Sequence, residues 1–267
     1  MSGGSRVGTP KGALLACGSR SRVYAWGEGA VVKVPDSTTP TDWIRAEARY
    51  TEAVFLAGAP SPRLLGIEMI RGRACGVYER VDGPSMWQHV IENPGQAAHF
   101  GAVLANLQAH LFSLVPPVLL PRQCDRLRCK IRRAARDVDP FYSETENRFP
   151  ATSTALRLCH GDLHPGNVIL SGRGPVIVDW FDVAIGDPVA DVARTSLLLR
   201  ADGNSCPPHL PGSDRMLLRA FEAAYLDRIA EVVAPDPRLL QMWQTVETIA
   251  RLGEDAPPAR SFARHTA

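Results

Sequence analysis

The chain has 267 residues, of which 45% are hydrophobic and 22% are charged. This is enough for a sizeable buried core in one or two domains. A formal net charge of +2 gives no bulk electrostatic reason to expect a nucleic-acid or membrane partner. The six cysteines include no C-x-x-C pair, which argues against a metal site or a disulfide framework and favours reduced thiols.

No segment of the sequence has the pattern of a targeting or membrane-spanning element. The first residues, Met-Ser-Gly-Gly-Ser-Arg, lack the apolar core of a signal peptide. The longest apolar stretch, Gly101 to Leu120, contains Asn106, Gln108 and His110, so it cannot span a bilayer. We therefore expect a cytoplasmic protein, either a monomer or a homodimer, without a nucleic-acid or membrane partner.

The first 80 residues predict short strands around one helix. Apolar runs between Gly-rich turns predict strands at Leu14–Ala16, Arg22–Trp26, Ala30–Val34, Leu64–Ile70 and Ala74–Glu79. Helical periodicity predicts one helix that begins at Thr41 and ends at Gly58. These elements indicate a small antiparallel sheet with one helix.

Beyond Pro84 the pattern becomes mostly helical. Helices are predicted at Ala97–Leu114, Arg122–Val138, Pro188–Leu199, Ser213–Val232 and Pro237–Leu252, and Val168–Leu170 and Val176–Val178 predict a hairpin. We expect an α+β protein with two lobes, residues 1–82 and residues 83–267. A nucleotide site is expected in the cleft between the lobes.

The segment from Cys159 to Asp191 carries the chemistry. It reads C-H-G-D-L-H-P-G-N-V-I-L, then V-I-V-D-W, then G-D-P-V-A-D. Phosphoryl transfer requires one group that orients a hydroxyl and accepts its proton, and oxygen ligands that hold Mg²⁺ on the nucleotide phosphates. The spacing predicts that Asp162 is the catalytic base and that Asn167 and Asp179 are the metal ligands.

These motifs resemble those of the aminoglycoside phosphotransferase family, within the kinase-like folds that include choline kinases and protein kinases. The family pattern is H-G-D-x-H-P-x-N, a short hairpin, I-D-W and G-D-P-x-x-D. The corresponding residues are His160, Gly161, Asp162, His164, Pro165, Asn167, Asp179, Trp180, Gly186, Asp187, Pro188 and Asp191. The resemblance extends from about Leu14 to about Leu252 and is close to bacterial phosphotransferases of antibiotics and other small molecules. It implies a protein-kinase-like fold and a magnesium-dependent kinase that uses ATP or GTP.

The resemblance also implies a nucleotide site in the N-terminal lobe. Lys33 lies in an apolar strand, where an unpaired ammonium is costly, and corresponds to the family's phosphate ligand. Glu47 corresponds to its ion-pair partner, whereas Glu52 faces roughly 140° away on the same helix. An alternative is that Lys33 extends from an edge strand into solvent.

The remaining nucleotide contacts are implied by two short segments. Gly18, Ser19 and Ser21 occupy the place of the family's glycine-rich loop, although only Gly18 keeps a glycine there. Glu79 and Val81 match the linker whose backbone binds the purine edge. Backbone contacts of this kind serve adenine or guanine, so the choice between ATP and GTP stays open.

Other conspicuous polar residues have structural interpretations. His160 and His164 have a zinc-like spacing only on a helix, and Pro165-Gly166 favour a loop, so His160 is expected to support that loop. Asp187 precedes Pro188 and is expected to cap the next helix. Asp191 corresponds to the carboxylate that braces the catalytic loop, and Arg194 is expected to pair with Asp187 or Asp191.

The strongest charge cluster is a basic run. We interpret it as the solvated face of an amphipathic helix, with an anionic substrate or nucleic acid as alternatives. The absence of interleaved aromatic residues argues against nucleic acid. The basic run consists of Arg122, Arg126, Arg128, Lys130, Arg132, Arg133 and Arg136.

Charge also bears on the acceptor. A polycationic aminoglycoside needs an acidic pocket, yet residues 91–150 carry six acidic and eight basic residues. Aminoglycosides, nucleoside or macrolide antibiotics, amino alcohols and sugars therefore all remain candidates, with a lean toward neutral or anionic acceptors. A protein kinase is disfavoured because only eleven residues separate Asp179 from Asp191. A nucleotide-binding pseudokinase is the alternative outside enzymes, and the weak glycine loop favours it.

Overall fold

The computed structural model of the protein describes residues 12–18, 20–137, 139, 149, 156–200 and 214–254. Its N-terminal part is a five-stranded antiparallel sheet with the order β1-β2-β3-β5-β4. The elements are β1 (Leu14–Cys17), β2 (Ser21–Ala25), β3 (Ala30–Pro35), α1 (Thr41–Leu56), β4 (Leu64–Ile70) and β5 (Arg73–Glu79). Helix α1 packs against β4 and β5 and so forms the inner layer of this lobe.

Helix α1 forms because its apolar residues recur on one face. Ile44, Ala48 and Val54 are buried on that face, together with the carboxylate of Glu47. The helix ends before Gly58, whose φ of 92° is a conformation that glycine adopts without steric cost. The result is a helix that presents a buried acid toward the sheet.

The C-terminal part is mostly helical. Helix α3 packs along α6, and both α4 and α5 pack along α7. Its elements are α2 (Met86–Glu92), α3 (Ala97–Ser113), α4 (Gln123–Asp137), β6 (Arg157–Cys159), β7 (Val168–Ser171), β8 (Gly174–Ile177), β9 (Ala184–Gly186), α5 (Pro188–Leu199), α6 (Asp214–Val232) and α7 (Pro237–Leu252). In the part of the chain that is described, no helix is both long and apolar enough to cross a membrane.

Two small sheets position the loops of the C-terminal part. Strands β6 and β9 pair antiparallel, with Leu158 opposite Ile185, and β7 and β8 form the predicted hairpin. The Val178 N–H donates to the Asn167 carbonyl at 2.9 Å. The loop after β6 and the loop after β8 therefore run side by side, which brings distant parts of the sequence together.

The two-lobed α+β architecture is confirmed, and most of the predicted elements are present. The bounds of β4, α5 and α7 are those predicted, while helix α2 was missed. Its signal was available, since Ser85 and Gln88 form a capping box at its start. The predicted end of α4 at Val138 and start of α6 at Ser213 lie outside the described residues. The lobe boundary at residue 82 stays a prediction.

Candidate active site

A cavity of about 1110 Å³ opens between the sheet lobe and the helical lobe. Its walls include Lys33 and Glu47 from the first lobe and Asp162 and Asp179 from the two adjacent loops. Four of the residues singled out from the sequence therefore face one space, although the longest separation between them is almost 150 positions. This shared space, called the central cavity below, is the candidate active site.

Lys33 stands at the junction of the two lobes. Its Nζ lies 2.5 Å from Glu47 Oε1 and 2.9 Å from Asp179 Oδ1. The ammonium is thus held from α1 on one side and from the loop after β8 on the other. Glu52 is exposed and makes no such pair, as the helix geometry predicts. The alternative of a solvent-extended Lys33 is wrong, because its side chain is only 17% exposed.

The ionisation of this cluster follows from burial and from the paired charges. Burial opposes the charge on Lys33, but the carboxylates of Asp179 and Glu47 outweigh it and raise the pKa of the ammonium. Burial raises the pKa of Glu47 despite the adjacent Lys33. Asp179 is only partly buried, and the Lys33 ammonium outweighs the effect of that burial, so the pKa of Asp179 is lowered. Lys33 and Asp179 therefore form an ionised pair across the cleft.

The loop after β6 is fixed by buried hydrogen bonds. The carboxylate of Asp191 accepts from the Gly161 N–H at 2.7 Å and from the His160 N–H at 3.3 Å. The His160 ring lies 3.2 Å from the Val178 carbonyl through Nε2 and accepts the Asp162 N–H through Nδ1 at 3.2 Å. These bonds tie the backbone at Asp162 to α5 and to the strand that leads to Asp179.

The carboxylate of Asp162 has a cationic neighbour. Nη2 of Arg194 lies 3.0 Å from its Oδ1 and 2.9 Å from Glu254 Oε2. The expected pairing of Arg194 with Asp187 or Asp191 is wrong. The Asp187 carboxylate accepts the Val189 N–H and so caps α5, and the Asp191 carboxylate is used by the loop. Arg194 projects instead into the central cavity.

Asn167 and Asp179 offer oxygen atoms that suit a hard cation. The Asn167 amide nitrogen donates to the Asp162 carbonyl at 3.0 Å, and no described residue donates to its Oδ1. Asp179 has a left-handed backbone with φ of 64°, and its side chain is 43% exposed. One amide and one carboxylate oxygen fit Mg²⁺, which keeps several water ligands and binds nucleotide phosphates.

The two histidines of the loop after β6 have structural partners. Among the described residues, no group of three or more His, Cys, Asp or Glu side chains could hold a metal ion. The rings of His160 and His164 each accept a backbone N–H through Nδ1, from Asp162 and Gly166 respectively. Both residues lie in a loop, as Pro165-Gly166 predicts.

The predicted phosphate loop connects β1 and β2. The Gly18 N–H donates to the Ser21 carbonyl at 2.8 Å, and both residues line the central cavity. Ser19 lies outside the described residues. Arg20 in the same turn reaches the Glu254 carbonyl at 3.4 Å. The turn thus approaches the end of α7 across the mouth of the cavity.

The predicted purine linker lies at the end of β5. The Glu79 N–H already donates to the Arg63 carbonyl at 2.9 Å. The backbone group of Glu79 that remains for a hydrogen bond to a purine is therefore its carbonyl. The Glu79 carboxylate pairs with Arg173, in the β7–β8 turn, at 2.6 Å. Glu79 and Val81 are not part of the cavity wall. Their contact with a purine stays a prediction.

Helix α4 contributes a charged network that the sequence interpretation missed. Lys130 lies 3.3 Å from Asp182 and 2.6 Å from Glu254, and Arg126 lies 3.5 Å from Asp182. Burial opposes the charge of Asp182, but Lys130 and Arg126 lower its pKa to about 2. No local signal could show these contacts, because their members come from separate segments.

The residues of the basic run therefore lie in two different environments. Arg122, Arg132 and Arg136 are exposed, as a solvated face requires. Arg126, Lys130 and Arg133 line the central cavity, and for these the interpretation as a solvated face is wrong. The inner face of α4 buries Leu127, Ile131 and Ala134 as predicted, and the cavity face lies beside it.

Comparisons with known proteins identify the family and the fold of the chain. A sequence model described as the phosphotransferase enzyme family matches residues 13–243. No curated protein matches the chain. Three solved structures with the same fold are an aminoglycoside-3'-phosphotransferase of type VIII, the aminoglycoside phosphotransferase APH(3'')-Id from Streptomyces rimosus ATCC10970 in complex with ADP and streptomycin, and the amicoumacin kinase hAmiN in complex with AMP-PNP, Ca²⁺ and Ami.

The likeness to these structures extends over most of each chain. The first has a TM-score of 0.62 at 20% identity and covers 89% of this chain and 91% of its own. The second has 0.59 at 17%, covering 91% and 94%, and the third has 0.57 at 14%, covering 91% and 80%. At such identities the structures show the shared kinase-like fold alone. The family model spans most of the sequence, and the chain belongs to the phosphotransferase enzyme family.

Proposed function

We propose that the protein is a magnesium-dependent small-molecule kinase. It transfers the γ-phosphate of ATP or GTP to a hydroxyl group of an antibiotic, of the aminoglycoside, nucleoside or macrolide type, or of a similar metabolite. The observation that carries this proposal is the convergence of Lys33, Asp162 and Asp179 on one cavity. We further propose that residues 1–82 bind the nucleotide and that residues 83–267 bind the acceptor. We also propose that the protein is cytoplasmic.

In this proposal Asp162 is the catalytic base. The acceptor hydroxyl donates a hydrogen bond to its carboxylate and gives up its proton there as the oxygen attacks the γ-phosphorus. The new O–P bond forms as the bond to the β–γ bridging oxygen breaks, and the nucleoside diphosphate leaves. Because such transition states are loose, the contribution of Asp162 is mainly to orient the hydroxyl.

In this proposal Lys33 is the phosphate ligand. Its ammonium now bridges Glu47 and Asp179. When a nucleotide binds, the α- and β-phosphates take over the place of Asp179 as the second partner of Lys33. Glu47 then keeps Lys33 oriented toward the phosphates, and Gly18, Ser19 and Ser21 supply further donors.

Asn167 and Asp179 would hold Mg²⁺ through their side-chain oxygens. The bound ion supplies charge neutralisation on the phosphates during transfer. Release of Asp179 from Lys33 on nucleotide binding frees both of its carboxylate oxygens for this purpose. His160, Asp187 and Asp191 support the loops that carry these ligands.

The solved relatives support a nucleotide donor, since two of the three contain an adenine nucleotide. They support several acceptor classes, because streptomycin and the amicoumacin ligand differ in chemistry. An amino-alcohol or sugar metabolite kinase of the same fold is therefore the first alternative. A nucleotide-binding pseudokinase is the second, and the single glycine in the phosphate loop favours it.

A mass-spectrometric transfer screen tests the proposal. Purified protein is incubated with Mg²⁺, either ATP or GTP, and a panel of aminoglycosides, macrolides, nucleoside antibiotics, amino alcohols and sugars. The proposal predicts the mass gain of one phosphoryl group on one acceptor class, lost in Asp162→Ala and without Mg²⁺. Nucleotide binding without transfer to any acceptor would favour the pseudokinase.

A further inference from the structure

The wall of the central cavity contains more positive than negative charge. Seven basic and six acidic side chains line it. The basic residues are Arg20, Lys33, Arg126, Lys130, Arg133, Arg194 and Arg251, and the acidic residues are Glu47, Asp125, Asp162, Asp179, Asp182 and Glu254. This balance bears on which acceptors the cavity can take.

Each of the six acidic side chains is already in an ion pair with a protein cation. Glu47 and Asp179 pair with Lys33, and Asp162 and Glu254 pair with Arg194. Asp182 pairs with Lys130 and Arg126, and Asp125 pairs with Arg128. An ammonium group that entered the cavity would have to displace a resident cation to find a counter-charge. The wall therefore disfavours polycationic acceptors.

Some basic side chains on the wall have charge or N–H donors that no described carboxylate uses. Arg133 lies over the ring of Trp43 at 5.8 Å, and it contacts no carboxylate in the part of the chain that the structure describes. The side chain of Arg194 is 95% buried, given its 5% exposure. Its Nε and Nη1 have no hydrogen-bond partner among the described residues, and neither has Nε of Arg126. These buried N–H donors face no acceptor among the described residues, which leaves this side of the cavity rich in donors and poor in acceptors.

The basic side chains of α4 lie on a different wall of the cavity from Lys33. Lys33 belongs to β3, where the proposed function puts the triphosphate. Arg126 and Arg133 belong to α4, and they pack on the aromatic rings of Tyr50 and Trp43 respectively. Lys130 of the same helix reaches the Glu254 carboxylate, which also pairs with Arg194 beside Asp162. A group bound to this face would lie near the hydroxyl that Asp162 orients.

We propose that the acceptor is a hydroxylated molecule with an anionic group, a carboxylate or a phosphate ester, and that Arg133 binds that group at the α4 wall of the cavity. The inference rests on the proposed function and narrows its acceptor. It favours acidic metabolites or acidic antibiotics over aminoglycosides. Lys130 and Arg126 on the same wall are already paired with Asp182, whereas no described carboxylate competes for the guanidinium of Arg133.

Sets of acceptors with one scaffold test this inference. Glucose, gluconate, glucose 6-phosphate and glucosamine form one set, and serine-derived acids, amides and amines form another. Transfer is expected to favour the anionic member. Arg133→Gln should raise its KM about tenfold, the loss of one charge-assisted hydrogen bond, with the KM for nucleotide unchanged. Arg136→Gln is the matched control, since Arg136 is exposed on the same helix and outside the cavity.

A binding measurement keeps the inference testable if none of these molecules is an acceptor. Inorganic phosphate is titrated calorimetrically into protein saturated with Mg²⁺ and AMP-PNP, which occupies the triphosphate side. Binding to the wild type and to Arg136→Gln, weakened about tenfold in Arg133→Gln, is the expected result. Equal binding by all three proteins, or none, would overturn the inference, as would preferred transfer to the ammonium members. Failure of AMP-PNP itself to bind would instead count against the kinase proposal.

Discussion

Nη2 of Arg194 lies 3.0 Å from Oδ1 of Asp162, and the same nitrogen lies 2.9 Å from Glu254. Arg194 thus connects the proposed catalytic base to the end of α7, which Lys130 of α4 also contacts. Arg194 of α5 therefore joins the carboxylate that we assign to proton transfer to Glu254, and through Glu254 to Lys130 of α4. The orientation of Asp162 depends on this connection as well as on its own loop.

Substitution of Arg194 should impair the reaction more than nucleotide binding. Arg194→Gln is expected to lower kcat about tenfold or more, because the Asp162 carboxylate loses its charged partner, while the KM for nucleotide stays unchanged. Arg194→Lys should recover part of kcat, since it restores the positive charge but not the shape of the guanidinium. Steady-state kinetics of the three proteins measure this. Arg200→Gln, at the exposed end of the same helix, should behave as wild type, and an Arg194→Gln protein with full kcat would refute the role.

The pairing of Lys33 with Glu47 predicts a defect in nucleotide binding. Glu47→Gln should raise the KM for nucleotide about tenfold, because Lys33 then keeps only Asp179 as its anionic partner and remains held away from the phosphates. Glu52→Gln is the control, being exposed on the same helix. Similar KM values for both variants would show that Glu47 does not position Lys33.

Glu247 predicts a pH dependence of stability. Burial raises its pKa to about 7 from the ordinary 4.5. The folded state therefore binds its proton more tightly than the unfolded state, so the stability from this proton is fully present below about pH 4.5. This contribution is lost as pH rises through about 7, and the free energy of unfolding falls by about 3 kcal/mol in total.

Thermal unfolding of Glu247→Gln between pH 4.5 and 8.5 measures this contribution. The variant should be more stable than wild type at pH 8 and should differ little from it at pH 4.5, because glutamine stays neutral throughout. Glu231→Gln, at an exposed site with 65% of the side chain accessible, should leave the pH profile unchanged. A stability loss at pH 8 in Glu247→Gln would mean that the ionised form is the one that the fold requires.

Substitution of Gly161 should disturb the loop that carries Asp162. Its φ is 79°, and a Cβ atom there would lie 2.4 Å from the Asp182 carbonyl oxygen. Gly161→Ala must therefore displace the loop that carries Asp162, and transfer should fall at least tenfold with about 1–3 kcal/mol of destabilisation. Urea unfolding and transfer assays measure both effects. Gly172→Ala has no atom within 4 Å of the added Cβ and should be close to neutral.

Local patterns in the sequence predicted much of this fold. The periodicity that ends at Gly58 predicted α1, and the Asp187-Pro188 pair predicted the start of α5, because helix caps are local signals. Strands β6 and β9 were missed. Each has three residues, and their pairing joins Leu158 to Ile185, so neither carries a periodic signal of its own.

The residues of the candidate site also fall into two groups, those that the sequence predicted and those that it did not. Asp162, Asn167 and Asp179 stand out because a motif fixes their spacing, whereas Lys33 and Glu47 were assigned from the resemblance to the family, with Lys33 in an apolar strand. The partner of Arg194 could not be predicted, since it depends on how α5 meets the end of α7 and the loop after β6. The same holds for Lys130, whose partners Asp182 and Glu254 lie more than 50 positions away.

We assign Asp162 as the catalytic base and Asn167 and Asp179 as the metal ligands. A titration of AMP-PNP with and without Mg²⁺ tests this assignment most directly. The wild type is expected to bind at least tenfold more tightly with Mg²⁺ than without it. Asp179→Asn and Asn167→Ala should lose that gain, and Asp162→Asn should keep it while it abolishes transfer. A gain that survives in both metal-ligand variants, or that disappears in Asp162→Asn, would contradict the account.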